Sequence, residues 1–202
     1  MDIAAIMAAA PVIPVLVVDD VAHAAPLAEA LVAGGLPVLE VTLRTPAALA
    51  VMAEMARVPG AIVGAGTVLS PADLDAALAA GAQFIVSPGL TDRLGQAAIA
   101  SGVPFLPGVA NAGDIMRGLD LGLNRFKFFP AVAAGGLPAL KALAAPFGMA
   151  RFCPTGGISA ATAPDWLAEP AVACVGGSWI AARGETDWAA IQARAAAAVA
   201  LR

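Results

Sequence analysis

A regular alternation of short apolar runs with amphipathic helical stretches most constrains the fold of this chain. Each run is short, rich in apolar residues and bounded by turn residues, as is typical of a buried parallel strand. Eight runs are predicted as strands: Val12–Val18, Val38–Leu43, Ala61–Gly66, Phe84–Ser87, Phe105–Val109, Arg125–Phe129, Arg151–Pro154 and Val172–Val175.

A predicted helix follows each predicted strand. Ser70-Pro71 and Thr45-Pro46 each place an N-cap residue before a proline at the first helical position. Helix ends are marked by Gly34-Gly35, Gly81, Gly102 and Gly122. The helices are predicted near Ala24–Ala33, Pro46–Arg57, Pro71–Ala80, Asp92–Ser101, Asn111–Leu121, Gly136–Ala145, Ala160–Leu167 and Asp187–Leu201.

Eight strand–helix units predict an α/β fold, a single-domain (β/α)8 TIM barrel that spans residues 1–202. A doubly wound sheet is disfavoured, because the phosphate fingerprint that follows its first strand is absent here. No linker or low-complexity segment divides the chain.

Composition excludes several classes of function. The formal net charge is −4 and the eleven basic residues are scattered, which argues against a nucleic-acid partner. Pro11 and Pro14 interrupt the apolar segment Ile3–Val18 and no basic region precedes it, so neither a signal peptide nor a membrane span is predicted. Cys153 and Cys174 are predicted as buried, reduced thiols of a cytoplasmic protein. Two unclustered cysteines and one histidine predict no metal site.

Lys127 is the leading candidate for chemistry. It lies in the aromatic run Arg125-Phe126-Lys127-Phe128-Phe129, which is predicted as a buried strand. A lysine there must leave water, and a buried ammonium is costly unless it is paired or gives up its proton. The only other lysine, Lys141, lies in a predicted helix. A neutral amine attacks carbonyl groups, so Lys127 is a candidate nucleophile.

Strand alternation gives Lys127 a partner. In the strand Val38–Leu43 and the residue after it, Glu40, Thr42 and Arg44 share the barrel interior, at increasing height toward the C-terminal rim. Active sites of this fold gather at that rim. Glu40 is therefore predicted to meet Lys127 and to move protons. The alternative is a buried ion pair with a purely structural role, although such pairs are poor stabilisers.

Two glycine-rich turns close the last two predicted strands. Glycines in these turns let backbone N–H groups approach an anion, with helix N-termini expected behind them, as where many barrels bind a substrate phosphate. The turns are Pro154-Thr155-Gly156-Gly157-Ile158-Ser159 and Val175-Gly176-Gly177-Ser178-Trp179.

Small residues end the third and fourth strands. Gly64-Ala65-Gly66-Thr67 and Ser87-Pro88-Gly89 leave room for a ligand, and the Thr67 hydroxyl can donate to a carboxylate. Ordinary turn chemistry also accounts for either segment taken alone.

Six motifs in order resemble the bacterial 2-keto-3-deoxy-6-phosphogluconate (KDPG) aldolase family, whose members are class I aldolases of the Entner–Doudoroff pathway. The resemblance extends from about Val12 to Trp179. The motifs are Glu40-Val41-Thr42-Leu43-Arg44-Thr45, Gly64-Ala65-Gly66-Thr67-Val68, Ser87-Pro88-Gly89-Leu90, Phe126-Lys127-Phe128-Phe129-Pro130, Pro154-Thr155-Gly156-Gly157-Ile158 and Gly176-Gly177-Ser178-Trp179.

The resemblance implies a homotrimer that cleaves KDPG to pyruvate and glyceraldehyde 3-phosphate without a cofactor. Some family members also cleave 4-hydroxy-2-oxoglutarate. By the same resemblance Lys127 is the Schiff-base lysine and Glu40 the proton-transfer residue. The implied substrate-binding residues are Arg44 and Thr67 at the carboxylate, Pro88 and Phe129 along the pocket, and Thr155, Gly156, Gly157, Gly176, Gly177 and Ser178 at the phosphate.

Val132 departs from the family pattern, in which an acidic residue usually follows Phe-Phe-Pro-Ala. Its position beside the Lys127 strand makes a change in loop geometry or turnover one interpretation. A surface replacement in an engineered protein is the other, because a new apolar residue on a symmetric trimer can create a further interface.

Two other functions fit the same residues. A barrel isomerase or epimerase of a sugar phosphate would use Glu40 as base and Lys127 electrostatically, without a covalent adduct. A trimeric scaffold that retains the old site, with association beyond the trimer, would need no catalysis, and Val132 is its only support.

Overall fold

All hydrogen-bonded strand pairs in the molecule are parallel. The structure, a computed structural model, describes residues 1–201. Its strands are β1 Val12–Leu16, β2 Val38–Thr42, β3 Ile62–Gly66, β4 Phe84–Val86, β5 Phe105–Leu106, β6 Gly108–Val109, β7 Arg125–Phe128, β8 Arg151–Pro154 and β9 Val175–Gly177. Its α-helices are α1 Ile3–Ala8, α2 Ala24–Ala33, α3 Ala48–Met55, α4 Pro71–Ala79, α5 Asp92–Ser101, α6 Ala112–Asp120, α7 Gly136–Ala144, α8 Ala163–Leu167 and α9 Trp188–Val199.

The strands form a closed barrel in a single domain. One hydrogen-bonded group has the order β5-β4-β3-β2-β1-β9 and the other the order β6-β7-β8. Pro107 separates β5 from β6, which are two halves of the predicted fifth strand, and its carbonyl accepts a hydrogen bond from the Lys127 N–H at 2.8 Å. Bridges between Phe152 and Val172 and between Thr155 and Gly176 join β8 to the β9 side. The predicted (β/α)8 barrel is therefore confirmed.

The predicted bounds of the last strand are wrong. The prediction was Val172–Val175, whereas β9 spans Val175–Gly177 because it pairs with β1, Val12 opposite Val175 and Pro14 opposite Gly177. Gly176 and Gly177 consequently lie within the strand and not in a turn after it.

Helix α1 was not predicted, and it closes the N-terminal end of the barrel. Asp2 caps it, accepting from the Ala5 N–H at 2.7 Å. Ile6 and Met7 are each 1% exposed and belong to the inner apolar cluster, which also contains the two cysteines. Both cysteines are thus buried, as predicted.

The predicted helix caps have mixed outcomes. The Ser70 hydroxyl accepts from the Asp73 N–H at 3.2 Å and caps α4, as predicted. The Thr45 prediction is wrong: α3 begins only at Ala48, and the Thr45 hydroxyl donates to the Val18 carbonyl at 2.7 Å. Thr45 therefore ties the rim after β2 to the rim after β1.

The apolar residues form two layers around the strands. The inner cluster fills the barrel below the candidate site, and the larger outer cluster lies between strands and helices. Phe126 and Phe128 face the outer cluster, so the aromatic run around Lys127 does not surround the amine. Lys127 faces the interior between them.

Candidate active site

Lys127 and Glu40 form a buried ion pair inside the barrel. The Lys127 Nζ donates to Glu40 Oε1 at 2.8 Å, and the two residues are 5% and 3% exposed. Lys127 lies on β7 and Glu40 on β2, 87 residues apart in sequence. The predicted meeting of the two side chains is confirmed. An amine and a carboxylate in direct contact can exchange a proton without a relay.

Neighbouring strands hold both side chains in place. Lys127 pairs in register with Cys153 of β8 and Gly108 of β6. On the other side, Gly66 at the end of β3 makes room for the carboxylate, since a Cβ at this position would lie 2.7 Å from Glu40 Cγ. A larger residue at Gly66 would displace Glu40 from Lys127.

Thr67 has a backbone conformation that is rare for its residue type. It follows β3 directly and has φ of 61°, the only positive φ among non-glycine residues 1–201. For a β-branched residue this region is a genuine outlier, and such strain clusters at functional sites. The strained backbone makes Thr67 a candidate functional residue, and its role at a carboxylate stays a prediction.

A cavity of about 90 Å³ opens at the C-terminal rim, beside the Lys127–Glu40 pair. Among residues 1–201, Arg44 is the one charged residue in its wall, and the Phe129 ring in the same wall lies 5.5 Å from Lys127 Nζ. Sequence reasoning missed Val15 and Ile158, although Val15 has the inward parity of β1. The predicted residues that line the cavity are Arg44, Phe129, Thr155, Gly156, Gly157, Gly176 and Ser178.

Three predicted binding residues lie outside this wall. Thr67 is half-buried at the end of β3. Pro88 is half-buried after β4, and its carbonyl group lies where a Cβ of Gly108 would be. A Cβ added to Gly177 would lie 2.5 Å from the Trp179 ring. The structure therefore places Gly177 in the last strand of the barrel and outside the cavity wall.

The predicted phosphate turn has the backbone that its glycines suggested. Gly156 and Gly157 have φ of 105° and 81°, a region in which glycine alone is unstrained. Helix α8 begins at Ala163 and α9 at Trp188, and the prediction that helix N-termini lie behind the two turns stays a prediction. Anion binding here would depend on backbone N–H groups and on Ser178.

Size alone does not locate the site. Depressions of about 460 and 490 Å³ lie on the outside of the barrel, near Lys141 and near Arg117, and neither contains a predicted site residue. Residues 1–201 contain no cluster of three or more side chains suited to a metal ion. Within the same range no helix has the length and apolar character needed to cross a bilayer.

Comparison with known proteins gives close matches over the whole chain. The family model described as KDPG and KHG aldolase matches residues 3–194. The crystal structure of the KDPG aldolase of Zymomonas mobilis ZM4 with 3-phosphoglycerate is 59% identical, with a TM-score of 0.98 and coverage of 100% of this chain and 96% of that one.

Two further relatives are informative. The KHG/KDPG aldolase of Escherichia coli K12 is 54% identical over 176 residues, which are 87% of this chain and 83% of the relative. The KDPG aldolase of Legionella pneumophila, solved with pyruvate captured at low pH as a covalent carbinolamine intermediate, is 46% identical with a TM-score of 0.95 and 98% coverage of both chains.

Proposed function

Because this chain belongs to the KDPG and KHG aldolase family, we propose that Lys127 forms the covalent intermediate of its reaction. The chain is a carbon–carbon lyase. Its reaction is the cleavage of KDPG to pyruvate and glyceraldehyde 3-phosphate, and 4-hydroxy-2-oxoglutarate is the second substrate that the family name indicates. The buried 2.8 Å contact between Lys127 Nζ and Glu40 Oε1 is the observation that carries the proposal.

The first half of the mechanism builds the Schiff base. Lys127 transfers a proton to Glu40, and the neutral amine then attacks the C2 ketone of the substrate. Proton transfer within the adduct gives a carbinolamine. Glu40 returns its proton to the carbinolamine hydroxyl, water leaves, and the iminium that remains is an electron sink.

The second half breaks the carbon–carbon bond. Glu40, directly or through a water molecule, removes the C4 hydroxyl proton. The C3–C4 bond then breaks, the aldehyde leaves, and the electron pair passes into an enamine. Glu40 protonates the enamine at C3, and water hydrolyses the new iminium to pyruvate and the Lys127 ammonium, which restores the ion pair with Glu40. Arg44 and Thr67 are proposed to hold the carboxylate, because Arg44 is the only cation among residues 1–201 in the cavity wall and Thr67 has a strained backbone at the end of β3.

The other end of the cavity is proposed to bind the phosphate. Thr155, Gly156, Gly157, Gly176 and Ser178 line it with small side chains and main-chain groups. We propose that Pro88, Phe129 and Gly177 form the rest of the pocket and set its width. Binding energy from a remote phosphate can be used to orient the reacting carbons.

Borohydride trapping tests the covalent step. Reduction in the presence of pyruvate is expected to attach a three-carbon adduct, located by peptide mass spectrometry, at Lys127. The chain has only two lysines, so K127A and K141A form a matched pair: K127A is expected to abolish the label and K141A to retain it. A label confined to Lys141, or no label, would refute the assignment of Lys127.

Assembly and compartment are further proposals. By its family resemblance the protein is proposed to be a cytoplasmic homotrimer. Native mass spectrometry is expected to give the mass of three chains. A larger assembly would support the scaffold interpretation of Val132.

A further inference from the structure

The pairing of β7 with β8 continues beyond the ends of both strands. The Thr155 N–H donates to the Phe128 carbonyl at 2.9 Å, where the strands end. Beyond that point the Ala131 N–H donates to the Thr155 carbonyl at 2.8 Å, and the Val132 N–H to the Gly156 carbonyl at 3.0 Å. The segment after the Lys127 strand is therefore hydrogen-bonded, residue by residue, to the candidate phosphate turn.

The Val132 side chain also contacts this turn. It is 49% exposed, yet its Cβ and Cγ2 lie 2.8 and 2.9 Å from the position that a Cβ would take on Gly157. Val132 thus leaves Gly157 no space for a side chain. At Gly156 the Ala131 nitrogen lies 3.5 Å from the position of an added Cβ, which is an ordinary van der Waals contact.

These contacts come from residues outside the cavity wall. Gly156 and Gly157 line the cavity, whereas Ala131 and Val132 do not. In a trans peptide unit the C=O and the N–H point in opposite directions. Since the Gly156 carbonyl accepts from the Val132 N–H, the N–H of Gly157 in the same peptide unit points away from the Val132 nitrogen.

We propose that Val132 is a positioning residue that selects for phosphorylated substrates by fixing the Gly156–Gly157 turn from behind. The inference rests on the proposed function, in which this turn receives the phosphate. Val132 touches neither the Lys127–Glu40 pair nor the cavity. Its influence falls on the affinity for the phosphate end and leaves the chemistry at the ketone unchanged.

The test compares V132A with two controls. V132T keeps a β-branched side chain of the same shape, and M149A removes a remote side chain that is 61% exposed. The readouts are kcat and KM for KDPG and for the phosphate-free 4-hydroxy-2-oxoglutarate. Calorimetry on the resting enzyme gives the Kd of 3-phosphoglycerate.

V132A is expected to raise the KM for KDPG and the Kd of 3-phosphoglycerate about fivefold, since small losses of positioning cost large factors in rate and affinity. The kcat for KDPG, the constants for 4-hydroxy-2-oxoglutarate and the pyruvate trapping at Lys127 are expected to stay within about twofold. V132T and M149A are expected to resemble the unchanged enzyme.

Equal effects on both substrates, or an unchanged Kd for 3-phosphoglycerate, would overturn the proposal. The binding measurement requires no turnover. Failure of pyruvate trapping in the unchanged enzyme would therefore count against the proposed function, while the affinity for 3-phosphoglycerate still decides the role of Val132.

Discussion

The buried ion pair of Lys127 and Glu40 is a poor source of folding stability. Burying two charges costs several kcal/mol per ion, and apolar residues of similar volume often serve a core equally well or better. Gly66 has no side chain, and this leaves the space in which Glu40 reaches Lys127. The arrangement is explained more simply by proton transfer than by folding.

E40Q is expected to lower kcat by about 10²- to 10⁴-fold, the range that a positioned acid–base group contributes. Glutamine keeps the shape and an acceptor for Lys127 but cannot take its proton. The measurement is a coupled pyruvate assay, with thermal unfolding to verify that the variant folds. An unchanged kcat would argue that Glu40 moves no proton.

The strained backbone at Thr67 leads to a prediction about stability that can be tested apart from activity. T67G and T67A both lose the hydroxyl, but only glycine accepts a φ of 61° without cost. The free energy of unfolding of T67G is expected to be about 1 kcal/mol higher than that of T67A, so T67G is the more stable variant. Both variants are expected to have a lower kcat/KM than the unchanged enzyme.

Chemical denaturation measures the difference between the two variants. If T67A proved as stable as T67G, the backbone at this position would not be strained. Full activity in either variant would show that the Thr67 hydroxyl does not bind substrate.

At the scale of elements, α1 acts as the floor of the barrel. Ile6 and Met7 enter the inner cluster from below, against residues such as Ile13 and Phe84. The ion pair of Lys127 and Glu40 lies above that cluster on β7 and β2. The helix therefore stabilises the barrel without contributing to the cavity.

I6A is expected to lower the free energy of unfolding by about 2–4 kcal/mol, as is usual for a buried large-to-small change. Met1 is 75% exposed, so M1A is the control and is expected to have no measurable effect. Urea denaturation compares the two variants. A loss for I6A no larger than for M1A would mean that α1 is not part of the core.

Some elements could be predicted from sequence and others could not, for identifiable reasons. Two-residue alternation predicted that Glu40 and Lys127 meet, because interior parity is a local property of each strand. The ends of β9 depend on its register with Val12 and Pro14, which no local pattern contains. Thr45 was misjudged because its hydroxyl found a partner 27 residues away, at Val18.

The site shows the same limit. The glycine-rich turns were identified from their motifs and their place after the last two predicted strands, but the contact of Val132 with Gly157 depends on how two loops pack. The helix predicted near Ala160–Leu167 is present, but it begins only at Ala163.

For the whole molecule, closure between the first and last strands is reinforced by charge. After β1, Asp19 accepts two hydrogen bonds of 2.7 Å from Arg183, which follows β9. Farther along, Arg194 of α9 donates to Glu185 at 2.6 Å. The hydrogen bond from Arg194, and next the backbone N–H of Ala182, hold the pKa of Glu185 below its ordinary value of 4.5.

This shift predicts a pH-dependent stability. A carboxyl group whose pKa is lower in the folded state stabilises the protein above the unfolded pKa and stops doing so as pH falls through the folded value. E185Q is therefore expected to be less stable than the unchanged protein at pH 7. The deficit is expected to shrink as pH falls below about 4.5.

Denaturation at several pH values from 7 downward measures this deficit. E54Q removes an exposed carboxylate that pairs with exposed Arg57, and it is expected to have little effect throughout. A deficit for E185Q that did not change with pH would mean that Glu185 stabilises by packing and not by charge.

The floor formed by α1 has a practical consequence for attaching the enzyme to a support. All strands run parallel, so Met1 and the rim that carries the cavity lie at opposite ends of the barrel. Met1 is exposed and therefore accessible for attachment. An immobilising tag joined through a short linker ahead of Met1 would present the open mouth of every bound molecule to the passing solution.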